Sequence, residues 1–320
     1  MGSKTAALPR LLAPGSRIAL IAPSGPLLER DDISRAAELC RALGHDPLLG
    51  AHAAARYGYL AGTDPERLAD LNAALANPEI DAVWCLRGGY GLTRILDAVD
   101  TAALARRPKP VIGFSDITAL LIALWRATGV PTFHGPTARQ SLPSFTRRHF
   151  ERVLATPAAP GCLERLRPPA DVLVPRSPRI VSLRGGQAEG PLIGGNLSLL
   201  QCLIGTRWCP DFTGALLFLE DVNEDLYRID RMLSHLRLAG VLDRVAGVII
   251  GQFTEMKRSA GDGALGFDEV LEHYFGGLGV PVAYGFPIGH VDEQWTLPIG
   301  IRARLDADAG ELELLEPEVA

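Results

Sequence analysis

Cysteine is scarce and shows no pairing pattern. The five residues, Cys40, Cys85, Cys162, Cys202 and Cys209, are odd in number and none forms a C-x-x-C pair. That argues against a disulfide framework and fits a reducing compartment. Apolar runs are broken by charge or glycine well before the length that spans a bilayer. The segment Met1 to Gly15 carries Lys4 and Arg10 but lacks the apolar stretch of a secretory signal. A basic excess is also absent: 32 Lys and Arg stand against 37 Asp and Glu, a formal net charge of -5. Nucleic acid is therefore not an expected partner, because phosphate binding needs clustered cations to displace counterions. The histidines show no H-x-x-x-H spacing and no His/Cys cluster, so neither a metal nor a cofactor is expected. There is no G-x-x-x-x-G-K-[ST] phosphate loop, and Gly113-Phe114-Ser115 does not continue into G-x-S-x-G. A protein of the cytoplasm, in contact with no membrane, is the expectation.

What is present is 320 residues, 47% of them hydrophobic, enough for two ordinary cores. The first half alternates strand-like and helix-like segments. Arg17 to Ala22, Asp81 to Leu86 and Pro110 to Phe114 read as buried strands. Helical spacing runs from Asp31 to Leu43, from Thr63-Asp64-Pro65-Glu66 to about Ala76, and from Asp116 to Thr128. Strands alternating with helices imply parallel pairing covered on both faces. Six prolines crowd the stretch between Thr156 and Pro178, which reads as a linker. Domains are expected at 1–155 and 179–320, with 156–178 between them. The second half reads as a helix over Leu197 to Ile204, strands over Ala215 to Leu219, Val245 to Ile250 and Val280 to Tyr284, helices over Glu224 to Leu238 and Asp268 to Phe275, and a closing hairpin over Ile301 to Leu315.

Ligands of parallel sheets bind at the carboxyl ends of strands. Ser115 lies at such a strand-to-helix turn, where a hydroxyl is both exposed and rigid and new helical N–H groups point at a developing anion. The same position suits a helix N-cap, as Ser or Asp116 would be favoured there. Arg87-Gly88-Gly89-Tyr90-Gly91 follows a strand; its paired glycines let backbone approach a ligand and present N–H groups, or simply turn the chain. Glu220 and Asp221 follow an apolar strand, and His290 sits in a glycine-rich loop. Taken singly, each is equally a polar sheet edge or a solvated loop residue. His134, after a short strand, is a spare candidate for a base.

Together these stretches resemble the LD-carboxypeptidase family of serine peptidases, which includes the microcin C immunity peptidases. The matching segments are Ile18-Ala19-Leu20-Ile21-Ala22-Pro23-Ser24-Gly25, Arg87-Gly88-Gly89-Tyr90-Gly91 and Ile112-Gly113-Phe114-Ser115-Asp116. Further along come Gly194-Gly195-Asn196-Leu197, Phe218-Leu219-Glu220-Asp221, Tyr227 to Leu233, and Gly289-His290 to Leu297-Pro298-Ile299-Gly300. They follow the family order and cover nearly the whole chain. The resemblance implies an α/β protein of two domains: an N-terminal Rossmann-like or flavodoxin-like parallel sheet supplying Ser115 as nucleophile, and a C-terminal α/β domain supplying Glu220 as triad acid and His290 as base. It places an oxyanion hole on the backbone N–H groups of Gly88, Gly89 and Asp116. It implies a murein peptide as partner, cut between the L-centre of a diamino acid and D-Ala, and a homodimer. Arg87 is the nearest group for a terminal carboxylate, or an ion-pair brace for its turn. Two other functions compete: a microcin C-type peptidase, associated with an aromatic nucleobase platform ahead of the triad acid, and a non-catalytic nucleotide or sugar-phosphate binding module. From Gln187 to Leu219 the one tryptophan is Trp208, which reads as packing.

Overall fold

The computed structural model describes residues 7–29, 31–156, 161–167, 179–257 and 265–320. Its first half contains β1 (Arg17–Ile21), α1 (Asp32–Ala42), β2 (Asp46–Leu49), α2 (Asp64–Ala76), β3 (Ala82–Cys85), α3 (Leu92–Ile95), α4 (Thr101–Arg106), β4 (Val111–Gly113), α5 (Thr118–Thr128), β5 (Thr132–His134) and α6 (Ser144–Ala155). The helix starts follow local chemistry. At α2, Thr63 N–H donates to Glu66 Oε2 at 2.7 Å, one half of a capping box. At the far end of α5, Gly129 takes φ 74°, the left-handed stop that glycine adopts without a Cβ clash.

Five of these strands lie parallel in the order β2-β1-β3-β4-β5. This is the flavodoxin-like order, whose switch point falls between β1 and β3. All four residues of β3 are fully buried, as a central parallel strand covered on both faces requires.

The second half contains β6 (Val181–Arg184), β7 (Gln187–Asn196), α7 (Leu197–Leu203), β8 (Leu216–Val222), α8 (Leu226–Leu238), β9 (Gly247–Thr254), α9 (Phe267–Phe275), β10 (Val282–Tyr284), β11 (Leu297–Ile299), β12 (Arg302–Asp306) and β13 (Glu311–Leu314). Seven strands form its sheet in the order β13-β12-β7-β8-β9-β10-β6. β7 to β10 are parallel; β6 and the β12–β13 hairpin join antiparallel at the edges.

The two halves are not cleanly partitioned. β11, from the C-terminal half, pairs antiparallel with β5 and becomes the sixth strand of the first sheet. Most of the proline-rich stretch lies outside the described residues. Its described part, 161–167, runs beside β13, with Leu163 N–H donating to Leu312 C=O at 2.8 Å.

Several boundaries differ from the sequence expectation. The strand expected over Ala215 to Leu219 continues to Val222, so Glu220 and Asp221 lie inside β8 rather than after it. Pairing with β9 persists past a register shift between Leu219 and Asp221, and such a bulge re-aims side chains without ending a strand. Gly194, Gly195 and Asn196 end the ten-residue β7. A Cβ on Gly194 would stand 1.9 Å from Phe218 C=O, so β7 approaches β8 there as only glycine allows.

Candidate active site

The first sheet brings three loops together at its switch point. Ser24 and Gly25 follow β1, the Arg87-Gly88-Gly89 turn follows β3, and Ser115 follows β4. Gly25 N–H donates to Gly88 C=O at 2.9 Å. A Cβ on Gly88 would lie 2.8 Å from Ser115 Cβ and 3.1 Å from its Oγ, so the glycine turn lies directly against the serine. Gly89, at φ 114°, holds a backbone conformation that a side chain would oppose.

Ser115 itself has φ 64°, one of three non-glycine residues with positive φ among those described. Such a conformation costs about 1–3 kcal/mol and persists only where surrounding structure enforces it. From Val111 to Leu120, Ser115 alone keeps partial access to solvent. It opens a short 3-10 turn, Ser115–Ile117, before α5. The strand–strained serine–helix arrangement is that of a nucleophile elbow, built without the second glycine of the usual motif. A capping role is ruled out: the turn's N-cap is Phe114, and α5 begins with no side-chain cap.

Asp116 is no cap either. Its buried carboxylate accepts from Ser24 Oγ at 2.5 Å and from Leu92 N–H at 2.9 Å. It thereby ties the β1 loop and the end of the glycine turn to the elbow. Burial raises its carboxyl above the usual range, and the two hydrogen bonds oppose that rise. Buried Arg67 of α2 braces the same loops, donating to Pro23 C=O at 2.6 Å and Gly91 C=O at 3.1 Å.

The second half supplies the other partners. His290 Nδ1 lies 2.8 Å from Glu220 Oε2, joining residues 70 apart in sequence. Glu220 is fully buried, whereas His290 keeps access to solvent. Gly289 makes this contact possible. At φ 109°, a Cβ there would stand 2.6 Å from Glu220 Oε2. The His290 ring packs on Phe114, the residue before Ser115, with centroids 4.7 Å apart. Ser115, Glu220 and His290 therefore converge, with hydrogen bonding between the last two and ring packing against the neighbour of the first.

A polar chain fixes one half on the other. Thr118 Oγ1, three residues beyond Ser115, accepts from Asn196 N–H at 3.1 Å. Asn196 Nδ2 donates to Asp221 Oδ1 at 3.0 Å, and Asp221 also accepts from Ser198 N–H, Ser198 Oγ and Val222 N–H. Successive strand residues face opposite ways, so Asp221 anchors the strand while Glu220 meets the histidine. Burial, then neighbouring Glu220, raises the Asp221 carboxyl. The His290 loop is moored too: Gln294 N–H donates to Thr146 Oγ1 of α6 at 2.9 Å. Thr118, Ser198 and Thr146 did not stand out in sequence, because each acts through partners remote along the chain, and the anchoring roles of Asn196 and Asp221 were not legible there for the same reason.

His134, the spare base, is fully buried with both ring nitrogens unpartnered. Burial, then the charge of His290, pushes it down to about 3, so it stays neutral. It packs on Phe114 and Phe218 rather than reaching solvent. Trp208 packs on the core, as read from sequence, and its N–H also donates to Asp97 at 2.7 Å across the halves. A cavity of about 460 Å³ flanks the His290 loop, lined by Pro287, Val291, Asp292 and Ala307. Among the described residues no cluster could hold a metal ion, and no helix is long and apolar enough to cross a membrane.

Comparison with known proteins identifies the family. Residues 18–135 match the LD-carboxypeptidase N-terminal domain and residues 189–305 the C-terminal domain. The chain belongs to the LD-carboxypeptidase family. It is 37% identical to the murein tetrapeptide carboxypeptidase of Pseudomonas aeruginosa, covering 91% of this chain and 94% of that protein. The crystal structure of muramoyltetrapeptide carboxypeptidase from Oxalobacter formigenes superposes with a TM-score of 0.79 at 33% identity, over 93% of this chain and 98% of that one. The microcin C7 self-immunity protein MccF of Escherichia coli is 29% identical over 95% of this chain and 94% of its own length. Bound to aspartyl sulfamoyl adenosine, MccF superposes with a TM-score of 0.89 at 27% identity, over 98% and 99% of the two chains. The sequence-level resemblance to this family is thereby established, and with it the α/β architecture of two sheets and a carboxypeptidase class of chemistry.

Proposed function

We propose that this LD-carboxypeptidase hydrolyses the amide between the L-centre of a diamino acid and the terminal D-Ala of murein tetrapeptides in the cytoplasm, through Ser115, His290 and Glu220. The observation that carries the reading is the buried Glu220 carboxylate held 2.8 Å from His290 Nδ1, with that ring packed beside the strained Ser115 turn. With Nδ1–H donating to Glu220, Nε2 is left as the acceptor that takes the Ser115 proton during attack. The serine oxygen adds to the scissile carbonyl. The oxyanion forms against the N–H groups of Gly88, Gly89 and Asp116, at the turn that lies against Ser115. Collapse expels D-Ala as its amine, protonated by His290 Nε2. Water, deprotonated by the same nitrogen, then releases the acyl group and regenerates the hydroxyl.

Ser115→Ala tests this. Hydrolysis of a murein tetrapeptide should fall by at least about 10³-fold while the thermal melt stays within a few degrees of the parent's. Retained turnover would remove Ser115 from the mechanism. The binding-module alternative instead requires ligand affinity with no turnover in the parent protein. A second reading, hydrolysis of an aminoacyl-sulfamoyl nucleotide amide, is favoured by the higher TM-score to MccF, 0.89 against 0.79. The higher identity to the murein enzyme, 37% against 29%, and the commitment of Trp208 to Asp97 favour the tetrapeptide. Parallel assays of the two substrates separate these readings. The family resemblance also carries a homodimer, which sedimentation velocity checks directly.

A further inference from the structure

Three of the chain's six tyrosines, Tyr57, Tyr59 and Tyr90, stand more than half exposed on two adjoining loops at the carboxyl end of the first sheet. Tyr90 belongs to the glycine turn itself, directly after Gly89, and its ring meets that of Tyr59 edge to face with centroids 5.5 Å apart. The support beneath them is firm. Tyr57 to Leu60 closes a tight hairpin: Tyr57 N–H donates to Leu60 C=O at 2.8 Å and Leu60 N–H to Tyr57 C=O at 3.0 Å, with Gly58 at φ 60° turning the chain. Ala61 N–H donates to Ser24 C=O at 2.9 Å, which ties the hairpin to the loop after β1. Leu60 is buried against the glycine turn, where a Cβ on Gly91 would lie 2.5 Å from Leu60 Cδ2. Arg87, at the start of that turn, donates to Pro26 C=O and braces the same β1 loop.

Exposed aromatic rings on a fixed hairpin bury little of their own surface, so their contribution to folding is small and their position suits binding. Gly88 lies against Ser115, and Tyr90 begins two Cα steps further on, at most about 7.6 Å from Gly88. A substrate cut at its last residue extends from the scissile bond mainly toward its amino end, where the three remaining residues of a tetrapeptide cover about 10 Å when extended. The rings therefore stand at the range of the substrate's amino end. Their surroundings select a neutral group. Arg94, four residues after Tyr90, commits its guanidinium to both oxygens of Asp64 at 2.8 to 3.1 Å. A nucleotide phosphate or a carboxylate would require a cation that is not already paired in this way. What the platform offers is aromatic surface rimmed by phenolic hydroxyls, which matches a sugar ring with its C–H faces and its peripheral hydroxyls. We infer that Tyr59 and Tyr90 form a subsite for a pyranose ring linked to the amino end of the murein peptide, and that the enzyme thereby prefers the glycopeptide to the free tetrapeptide. Tyr57 widens the same surface. The inference rests on the proposed function for the identity of the peptide, but the aromatic platform is an observation of its own.

The test compares a murein tetrapeptide with the same peptide carrying N-acetylmuramic acid at its amino end. Turnover of both is measured with the parent enzyme, and their binding is measured by calorimetry in a Ser115→Ala background, alone and combined with the tyrosine variants. The muramyl peptide should show a kcat/KM at least about threefold higher, through KM rather than kcat, which is the scale of one aromatic contact. Tyr59→Ala and Tyr90→Ala should each bring the two peptides close to equality by raising KM for the muramyl peptide. Tyr59→Phe, which keeps the ring, should retain most of the preference. Leu238→Ala, which trims an exposed side chain at the last residue of α8, should leave the preference intact. Turnover without preference, or a preference that survives both Ala variants, overturns the subsite while leaving the proposed function standing. So does a fall in sedimentation coefficient on Tyr59→Ala, which would give the tyrosines to a second copy of the chain. Tyrosine-dependent binding of the muramyl peptide without turnover of either peptide keeps the subsite and overturns the proposed function.

Discussion

The two halves of the site obtain their rigidity by opposite means. In the first half, backbone does the positioning. Ser115 sits in a left-handed conformation at a strand end, pressed by Gly88 and locked by the Asp116 carboxylate bridging two other loops. In the second half, side chains do it. Glu220 projects from within a paired strand, Asp221 behind it accepts four hydrogen bonds, and His290 is held by the carboxylate it meets. A nucleophile needs a fixed trajectory with an exposed atom, which a strained turn at a switch point supplies. A base must be oriented while it exchanges protons, which a buried hydrogen-bond partner supplies.

That contrast can be broken most severely at Glu220. Glu220→Gln keeps the shape but no longer selects the imidazole tautomer, and should lower kcat by about 10³–10⁴-fold in a peptide assay with little change in the melt. If the second half is positioned as described, Asp221→Asn should show the reverse balance, losing stability by about 1–3 kcal/mol in urea titrations with a smaller loss of turnover. Equal losses of both kinds from both variants would mean the two carboxylates do not divide anchoring from orientation.

Gly88→Ala probes the backbone half. The added methyl meets Ser115 Cβ at 2.8 Å, so the turn or the serine must shift. Turnover should drop by about 10²-fold, the scale of losing an oxyanion donor, with binding of an uncleaved tetrapeptide much less affected. A neutral effect would detach the glycine turn from the reacting centre.

The smallest expected effect concerns stability. Unfolded, histidine takes a proton near pH 6.5, whereas folded His134 does so only near about 3. Between those values the unfolded chain binds more protons, so His134 makes stability rise with pH across that window and fall as acid is added. His134→Phe should flatten the decline in urea midpoint between pH 7 and pH 4.5. An unchanged slope would show that the ring takes up its proton when folded.

Much of the first half was legible in order along the chain. β1, β3 and β4, the helix after Thr63 and the turns that follow each strand are local patterns of burial, capping and glycine, so their signals are contiguous. β2 was missed because its residues are largely exposed at the sheet edge, and β11 because three residues carry too little periodicity, whereas β5 was read as a short strand that proves to include His134. The extent of β8 was misjudged for a different reason. Glu220 and Asp221 look like a polar strand end, yet partners from β7, α7 and the His290 loop bury both.

By itself, the sequence determined which chemistry was available: a serine at a strand-to-helix junction, a glycine turn, an acidic pair, a loop histidine, and the ordered motifs that mark the family. Whether Ser115 opens a strained turn or caps the helix was decided only by the positive φ that neighbouring elements impose. Tertiary structure also chose Glu220 over Asp221 as the partner of His290, and sent β11 into the first sheet. The physical reason is common to all of these. Hydrogen bonding and steric exclusion act over a few ångströms, and residues 70 positions apart share such a distance only after the strands between them have assembled into a sheet.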